Sequence, residues 1–415
     1  MAHQHSHISR TAEASTTSPK ARLVIIVLLA FITALTAVGA YVLRPDWEGL
    51  DHVQALTGYQ TAPGVSREQA KILEVEHQCE SAALAASGAH SCVTLTVRLT
   101  TGEDAGKEAM MESPGPAAAS HLSVGDVIQV ISSPGPNGSA VYSFTGIERN
   151  LPILLFALLF VFVVLAVARA KGAMALVGLA FAVLVLVRFM LPSLASGRPG
   201  ILVGVVGSTA IMLVVIHVAH GFSMRTASAM LGTFAGLLLA AFLGTVATRF
   251  GHLSGFVDET AFNLSSSLPG LDMSQLLVAA IILSGLGVLN DVTITQSSAV
   301  WELRIASPTY TKREIYSSAM RIGRDHIAST IYTIVFAYTG AALSSVMLIA
   351  LFYDQSLSDL FAVESLAAEA LQIFASGSAL ILSVPITTAI AVAAVRGPQV
   401  PADTQTPGAQ QALPA

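Results

Sequence analysis

Ser284, Asp291, Thr295, Ser298 and Glu302 follow one another at steps of seven, four, three and four residues, which sets them on one narrow helical face. They belong to the block Leu289 to Arg304, L-N-D-V-T-I-T-Q-S-S-A-V-W-E-L-R, which closes the apolar run Leu276 to Val288. Carboxylates and hydroxyls inside a bilayer, or just under it, are expensive unless they meet a polar partner, a water-filled cavity or an ion. Ion coordination and proton relay are the chemistries that suit such a stripe. A helix that simply leaves the membrane and turns polar would read the same way.

A second polar group lies downstream, in Arg321 and the triplet Arg324-Asp325-His326. At about 1.5 Å per residue, Asp291 lies roughly 24 Å along a span that starts at Gln275. His217 lies about as deep in a span from Gly200, and His326 begins the next crossing. His217 and His220 share a helix face at i, i+3. Together with His326 and one or two carboxylates they have the donors for a transition metal or a proton relay; interfacial anchoring is the simpler reading of the two. The expectation is one cluster near the cytoplasmic face. Asn290, Asp291, Thr295, Ser298 and Glu302 supply one side, and Arg321, Arg324, Asp325 and His326 the other. An unpaired buried Asp291 would cost several kcal/mol or stay protonated. It should therefore find one of those arginines or His326. No P-loop, H-E-x-x-H, G-x-S-x-G or Gly-rich dinucleotide turn is present. The chain is read as a non-enzyme with no cofactor.

Long apolar helices must position these groups. Of 415 residues, 53% are hydrophobic and only 11% charged, against about 25% charged in a soluble domain. This is the composition of an α-helical polytopic protein partnered by the lipid bilayer. Nothing basic points to nucleic acid, and the sequence leaves the oligomeric state open. Eight spans are expected: residues 23–43, 151–168, 173–194, 200–220, 226–247, 275–295, 327–352 and 371–395. Pro385 should kink the last, and Gly285 with Gly287 permits bending in the sixth. Lys and Arg collect in one set of short loops, from Lys20 and Arg22 through Arg304, Lys312 and Arg313 to Arg396. The other set holds Arg198 and Arg249. By the positive-inside rule both termini are cytoplasmic. The tails 1–22 and 397–415 are expected to be disordered. Alternating His3, His5 and His7 suit either a loose metal site or a solvated tail.

Between the first and second spans, residues 44–150 change character. Val93, Leu95, Val97 and Leu99 alternate with Thr94, Thr96 and Arg98, the period of a half-buried strand. Residues 72–77, 122–131 with a turn at Gly125-Asp126, and 141–147 read as further strands. About five short strands imply a small extracytoplasmic barrel or sandwich, OB-like, ahead of a seven-helix region at 151–396. Outside the cytoplasm Cys79 and Cys92 can form a disulfide; two unrelated thiols are the alternative.

The block Gly287 to Arg304, followed by R-I-G-R-D-H-I-A-S-T at Arg321 to Thr330, resembles the YibE/F family of bacterial multi-pass membrane proteins. H-V-A-H-G-F-S at His217 to Ser223 and S-V-P-I-T-T at Ser383 to Thr388 support the likeness, which runs from about Ile72 to Val395. It implies a protein of the bacterial plasma membrane with a strand-rich insert after the first span. It implies no substrate. Two functions stay open: a secondary transporter or permease for an ion or small solute, and a non-transporting assembly or sensing protein whose external domain binds a partner.

Overall fold

The computed structural model describes residues 17–50, 65–76, 92–114, 122–135, 140–268, 270–352 and 361–398. The chain divides into two compact units, Met1–Leu50 with Ala170–Ala415, and Asp51–Arg169.

The smaller unit holds a five-stranded antiparallel sheet. Its strands are β1 (Ser66–Glu76), β2 (Cys92–Leu99), β3 (Glu108–Pro114), β4 (Val127–Pro134) and β5 (Ala140–Ile147). Their order is β3-β2-β1-β4-β5. Register shifts between Ile72 and Glu74 and between Gln129 and Val130 bend the sheet. Its edges β3 and β5 approach one another, so the sheet curls. The alternation read from sequence puts Val93, Leu95 and Val97 inside, and they form one core with Ala70, Ile72, Ile128 and Val130. Each large side chain so buried stabilises by about 1.5–3 kcal/mol relative to exposure. The expected turn forms at Gly125, where φ is +101°; Asp126 closes it by accepting the Ser123 N–H at 2.8 Å.

One corner of the curl is tied by side chains. Tyr142 on β5 donates to Asp104 at 2.6 Å, and Lys107 pairs with the other Asp104 oxygen at 2.5 Å. Burial first, and the bond to Asp104 second, pushes the Tyr142 phenol up to about 12. Folding thus favours the protonated phenol. That contribution is complete below its ordinary value of 10 and is lost as pH rises towards the raised one. An ultraviolet titration should show one late-ionising tyrosine that Tyr142→Phe removes. An unchanged curve in the variant would refute the tie.

The larger unit is helical. Helix α1 (Pro19–Val42) starts at a proline, which suits a first turn because the missing N–H there has no partner to lose. Residues 19–22, expected in the tail, are therefore helical. Helix α2 (Asn150–Val185) has a backbone break at Arg169, φ 51°, and only the part after that residue belongs to the larger unit. A π-type turn (Leu186–Met190) and α3 (Leu191–Ala195) follow. Pro192 there has no N–H to give, which disturbs the regular ladder one turn earlier. Then come α4 (Gly200–His220), α5 (Met224–Phe250), α6 (Glu259–Ser267), α7 (Met273–Ser284), α8 (Leu286–Ala306), α9 (Lys312–Ala341), α10 (Leu343–Phe352) and α11 (Glu364–Ala394). Side-chain oxygens cap several starts: Ser223 accepts from Thr226, Asp258 from Ala261 and Asp272 from Gln275. Thr311 and Glu314 form a reciprocal capping box on α9.

Six helical stretches among the described residues are long and apolar enough to cross a membrane: Pro19–Val42, Asn150–Ala195, Gly200–His220, Met224–Phe250, Met273–Ala306 and Glu364–Ala394. The eight spans expected from sequence map onto these with two differences. Spans 151–168 and 173–194 share one 46-residue stretch, broken at Arg169. Span 327–352 is divided at Ala342 between α9 and α10, and the polar first half of α9 dilutes its apolar character. The bundle centre is dense because small residues let backbones approach. A β-carbon on Gly232 of α5 would land on Thr387 Oγ1 of α11. One on Gly236 would lie 2.6 Å from Leu289 Cδ1 of α8. At one end of the bundle the Ser18 N–H donates to Ala394 O at 2.9 Å, and Arg396 Nε donates to Thr17 O at 2.9 Å. The start of α1 and the end of α11 thus lie together.

Candidate functional site

Helix α8 turns two different polar faces to its surroundings. Thr293, Gln296, Ser297 and Arg304 are buried with Val292, Val300 and Trp301. Thr293 Oγ1 meets Thr233 Oγ1 of α5 at 2.7 Å. Ser297 Oγ donates to Arg225 O at 2.8 Å, and Gln296 Nε2 donates to Ala319 O of α9 at 2.7 Å. Arg304 Nη1 donates to Pro308 O and Tyr310 O, fastening the loop after α8. These four are structural fasteners that the stripe read from sequence did not include. The available signal was their spacing with Leu289 and Val300 at three and four residues, the period of a core face.

The expected stripe lies on the opposite face and is shorter than read. Ser284 is not on α8: the helix breaks at Gly285, and the Ser284 hydroxyl donates to Ile281 O of α7. Thr295 and Ser298 are half-buried, and Asp291 and Glu302 exposed. Ser298 spends its hydroxyl on Ile294 O of its own helix.

Asp291 finds one member of the second group. Its Oδ2 lies 3.5 Å from His326 Nε2, with the two side chains 68% and 32% exposed. That is too long for a good hydrogen bond. The His326 nitrogen is nonetheless enclosed and has no hydrogen-bond partner, as has Asn290 Oδ1 on the neighbouring position. The pair is therefore left open, a close approach without a formed hydrogen bond.

The arginines do not join. Arg321 Nη2 donates to Ser318 Oγ on its own helix at 2.9 Å. Among the described residues no ion pair links Arg321 or Arg324 to Asp291. The reason is helical phase. Helix α9 buries Ile315, Ala319, Gly323, Thr330 and Ile334. His326 is three residues from Gly323 and borders that face. Arg321, Arg324 and Asp325 fall outside it and are exposed. The nine-residue cluster expected from sequence therefore contracts to Asp291, His326 and Asn290.

The two histidines of α4 divide. His217 Nδ1 is 2.7 Å from Leu213 O, and its ring packs on Phe222 with centroids 4.8 Å apart. His220 is within electrostatic reach of Asp291, Arg225 and Lys171. Among the described residues no group of three or more His, Cys, Asp or Glu is placed to hold a metal. Cys79 and the Cys92 side chain lie outside the described residues, as does the expected disulfide.

A second polar place was not read as a site. A cleft of about 320 Å³ is lined by Asp258, Ser345, Ser365, Glu369 and Gln372. Glu369 Oε2 is enclosed there without a hydrogen-bond partner. One turn earlier Glu364 accepts the Ser254 and Gly255 N–H groups at 2.7 and 2.8 Å, clamping the loop after α5.

The family model described as YibE/F-like protein matches residues 156–397. No curated protein and no solved structure matches the chain.

Proposed function

The chain belongs to the YibE/F-like family, and from that premise we propose that this integral membrane protein is a secondary transporter of an ion or small solute. The observation that carries the proposal is the open Asp291–His326 pair. A carboxylate on α8 and an imidazole on α9 face each other, the enclosed imidazole nitrogen has no hydrogen-bond partner, and among the described residues neither Arg321 nor Arg324 pairs with Asp291. Intramembrane ionisable groups left in this condition mark proton and ion pathways. Enclosed Glu369, on α11, gives a second acidic group along the same bundle. The test is an ion and metabolite uptake screen in proteoliposomes, and wild-type protein that moves nothing above empty vesicles sinks the proposal.

The second reading is a non-transporting assembly or sensing protein of the membrane, with the strand unit binding a partner. The dry, paired contacts of Thr233, Thr293, Gln296 and Ser297 favour it, since they hold helices together without needing a substrate. The two readings separate at Asp291, which assembly leaves dispensable.

In this reading the chain has eight spans, sits in the bacterial plasma membrane with both termini cytoplasmic, and holds the OB-like strand unit outside. Adjacent ends of α1 and α11 require an even number of crossings between them. The six apolar stretches, with the 46-residue one counted twice at its break, make seven. The α9–α10 segment supplies the eighth. Single cysteines in a Cys79→Ser/Cys92→Ser background read this directly. Ser266→Cys is expected to react with an impermeant maleimide on intact cells, and Thr309→Cys only after permeabilisation. The reverse pattern inverts the topology.

A further inference from the structure

We infer that the strand unit binds a small organic cation, through an ammonium or guanidinium head, at the mouth of its curled sheet, with Glu68 as the anionic contact. Strand β1 alternates, and Glu68, Ala70 and Ile72 form its buried row. Ala70 and Ile72 sit in the apolar core. In the next place of that row, where an apolar side chain would continue the core, stands a carboxylate only 6% exposed. Its Oε1 accepts from Ser66 Oγ at 2.8 Å. Its Oε2 is enclosed and has no partner. An ionised oxygen left so is costly, and a donor arriving from outside removes the cost.

The surroundings are shaped for that donor. Glu68 lines a cleft of about 410 Å³ together with Glu103, Asp104, Ser132, Pro134 and Tyr142, a volume in the range of small-molecule sites. Gly102, at φ +90°, closes over Glu68, and a β-carbon there would fall within the carboxylate. Asp104 is already engaged by Lys107 and Tyr142 and Glu103 lies exposed on the rim, so the enclosed acid with an oxygen left unpartnered is Glu68. The phenol ring and Pro134 provide apolar wall. Among the described residues no set of three metal-ligating side chains is assembled, which favours a nitrogen cation with N–H donors over a bare metal ion. Arg67 also lines the cleft; it alternates to the exposed side of β1, leaving the buried row to Glu68.

Calorimetric titration of the full-length protein in nanodiscs tests this, with agmatine and putrescine as probes, sodium acetate as the anionic control and calcium chloride as the inorganic cation. Agmatine or putrescine should bind with a dissociation constant of millimolar or below. Glu68→Gln, which keeps the shape and the Ser66 bond, should weaken binding at least tenfold. Glu103→Lys changes an exposed rim position, so it keeps the fold, and should weaken binding several-fold by repulsion. It carries the test if Glu68→Gln expresses poorly. No heat from either amine with folded wild type overturns the inference, as does equal affinity in wild type and every folded variant. Calcium binding that depends on Glu68, with the amines silent, overturns the organic-cation assignment.

Discussion

Asp291→Asn is expected to leave a folded protein whose uptake in proteoliposomes falls to that of empty vesicles. The substitution keeps size and hydrogen-bonding shape and removes the charge. Two magnitudes separate the readings. A fully buried ion pair broken on one side costs about 3–5 kcal/mol, whereas a solvent-accessible pair is worth roughly 0–1 kcal/mol. Asp291 is not packed inside the protein, being 68% exposed, and lies 3.5 Å from its partner, so as a group opening to water at the helix boundary it falls in the second class. The melting temperature should therefore stay within a few degrees of wild type while flux disappears. His326→Gln is expected to reduce flux as well, and the double variant should be no worse than Asp291→Asn, because both side chains serve one step. Undiminished flux in Asp291→Asn would remove the residue from any transport path. A large loss of stability instead would make the pair a structural fastener and favour the assembly reading.

Much of the fold was legible because its signals are local. Apolar runs of about twenty residues gave helices at 200–220 and 226–247, close to α4 and α5. The Val93 to Leu99 alternation gave β2 and its buried face. Strand β3, Glu108–Pro114, was not read. E-A-M-M-E-S-P has no β-branched residue, and its strand state comes from pairing with β2 over seven positions, Cys92↔Pro114 to Arg98↔Glu108. The candidate site was legible to the level of two segments and one pair. Asp291 and His326 were among its expected members. The surrounding arginines were included because chain proximity says that two helices are neighbours, not which face each presents. The phase of α9 is fixed by Ala319 and Gly323 packing near Gln296 and Val384, a fact about partners far along the chain. Glu68 was hidden for the same reason. On its own it is one more charged residue in a polar strand start. It becomes unusual only when its row proves to be the inside row.

Gly232→Ala should lower the melting temperature of the detergent-solubilised protein by several degrees, although alanine is the better helix former. Two terms oppose each other. Replacing a mid-helix glycine by alanine gains about 0.5–1 kcal/mol. Forcing a methyl into a packed interface costs about 1–3 kcal/mol. At Gly232 the second should win, because the new carbon would land on Thr387 Oγ1 and lie 2.8 Å from Thr387 Cβ. Neither atom is the far end of a flexible side chain, so α5 and α11 must move apart. Thr387 Oγ1 is itself enclosed without a partner, so Thr387→Ala sacrifices no hydrogen bond and opens the space. Adding Thr387→Ala to Gly232→Ala should restore most of the lost stability. Gly340→Ala on α9 is the contrast, since nothing stands within 4 Å of its new carbon; it should be neutral or slightly stabilising. The close crossing of α5 and α11 is refuted if Gly232→Ala and Gly340→Ala behave alike. Glycine 232 would then be dispensable for packing, and the adjacency of Thr387 would have to be abandoned with it.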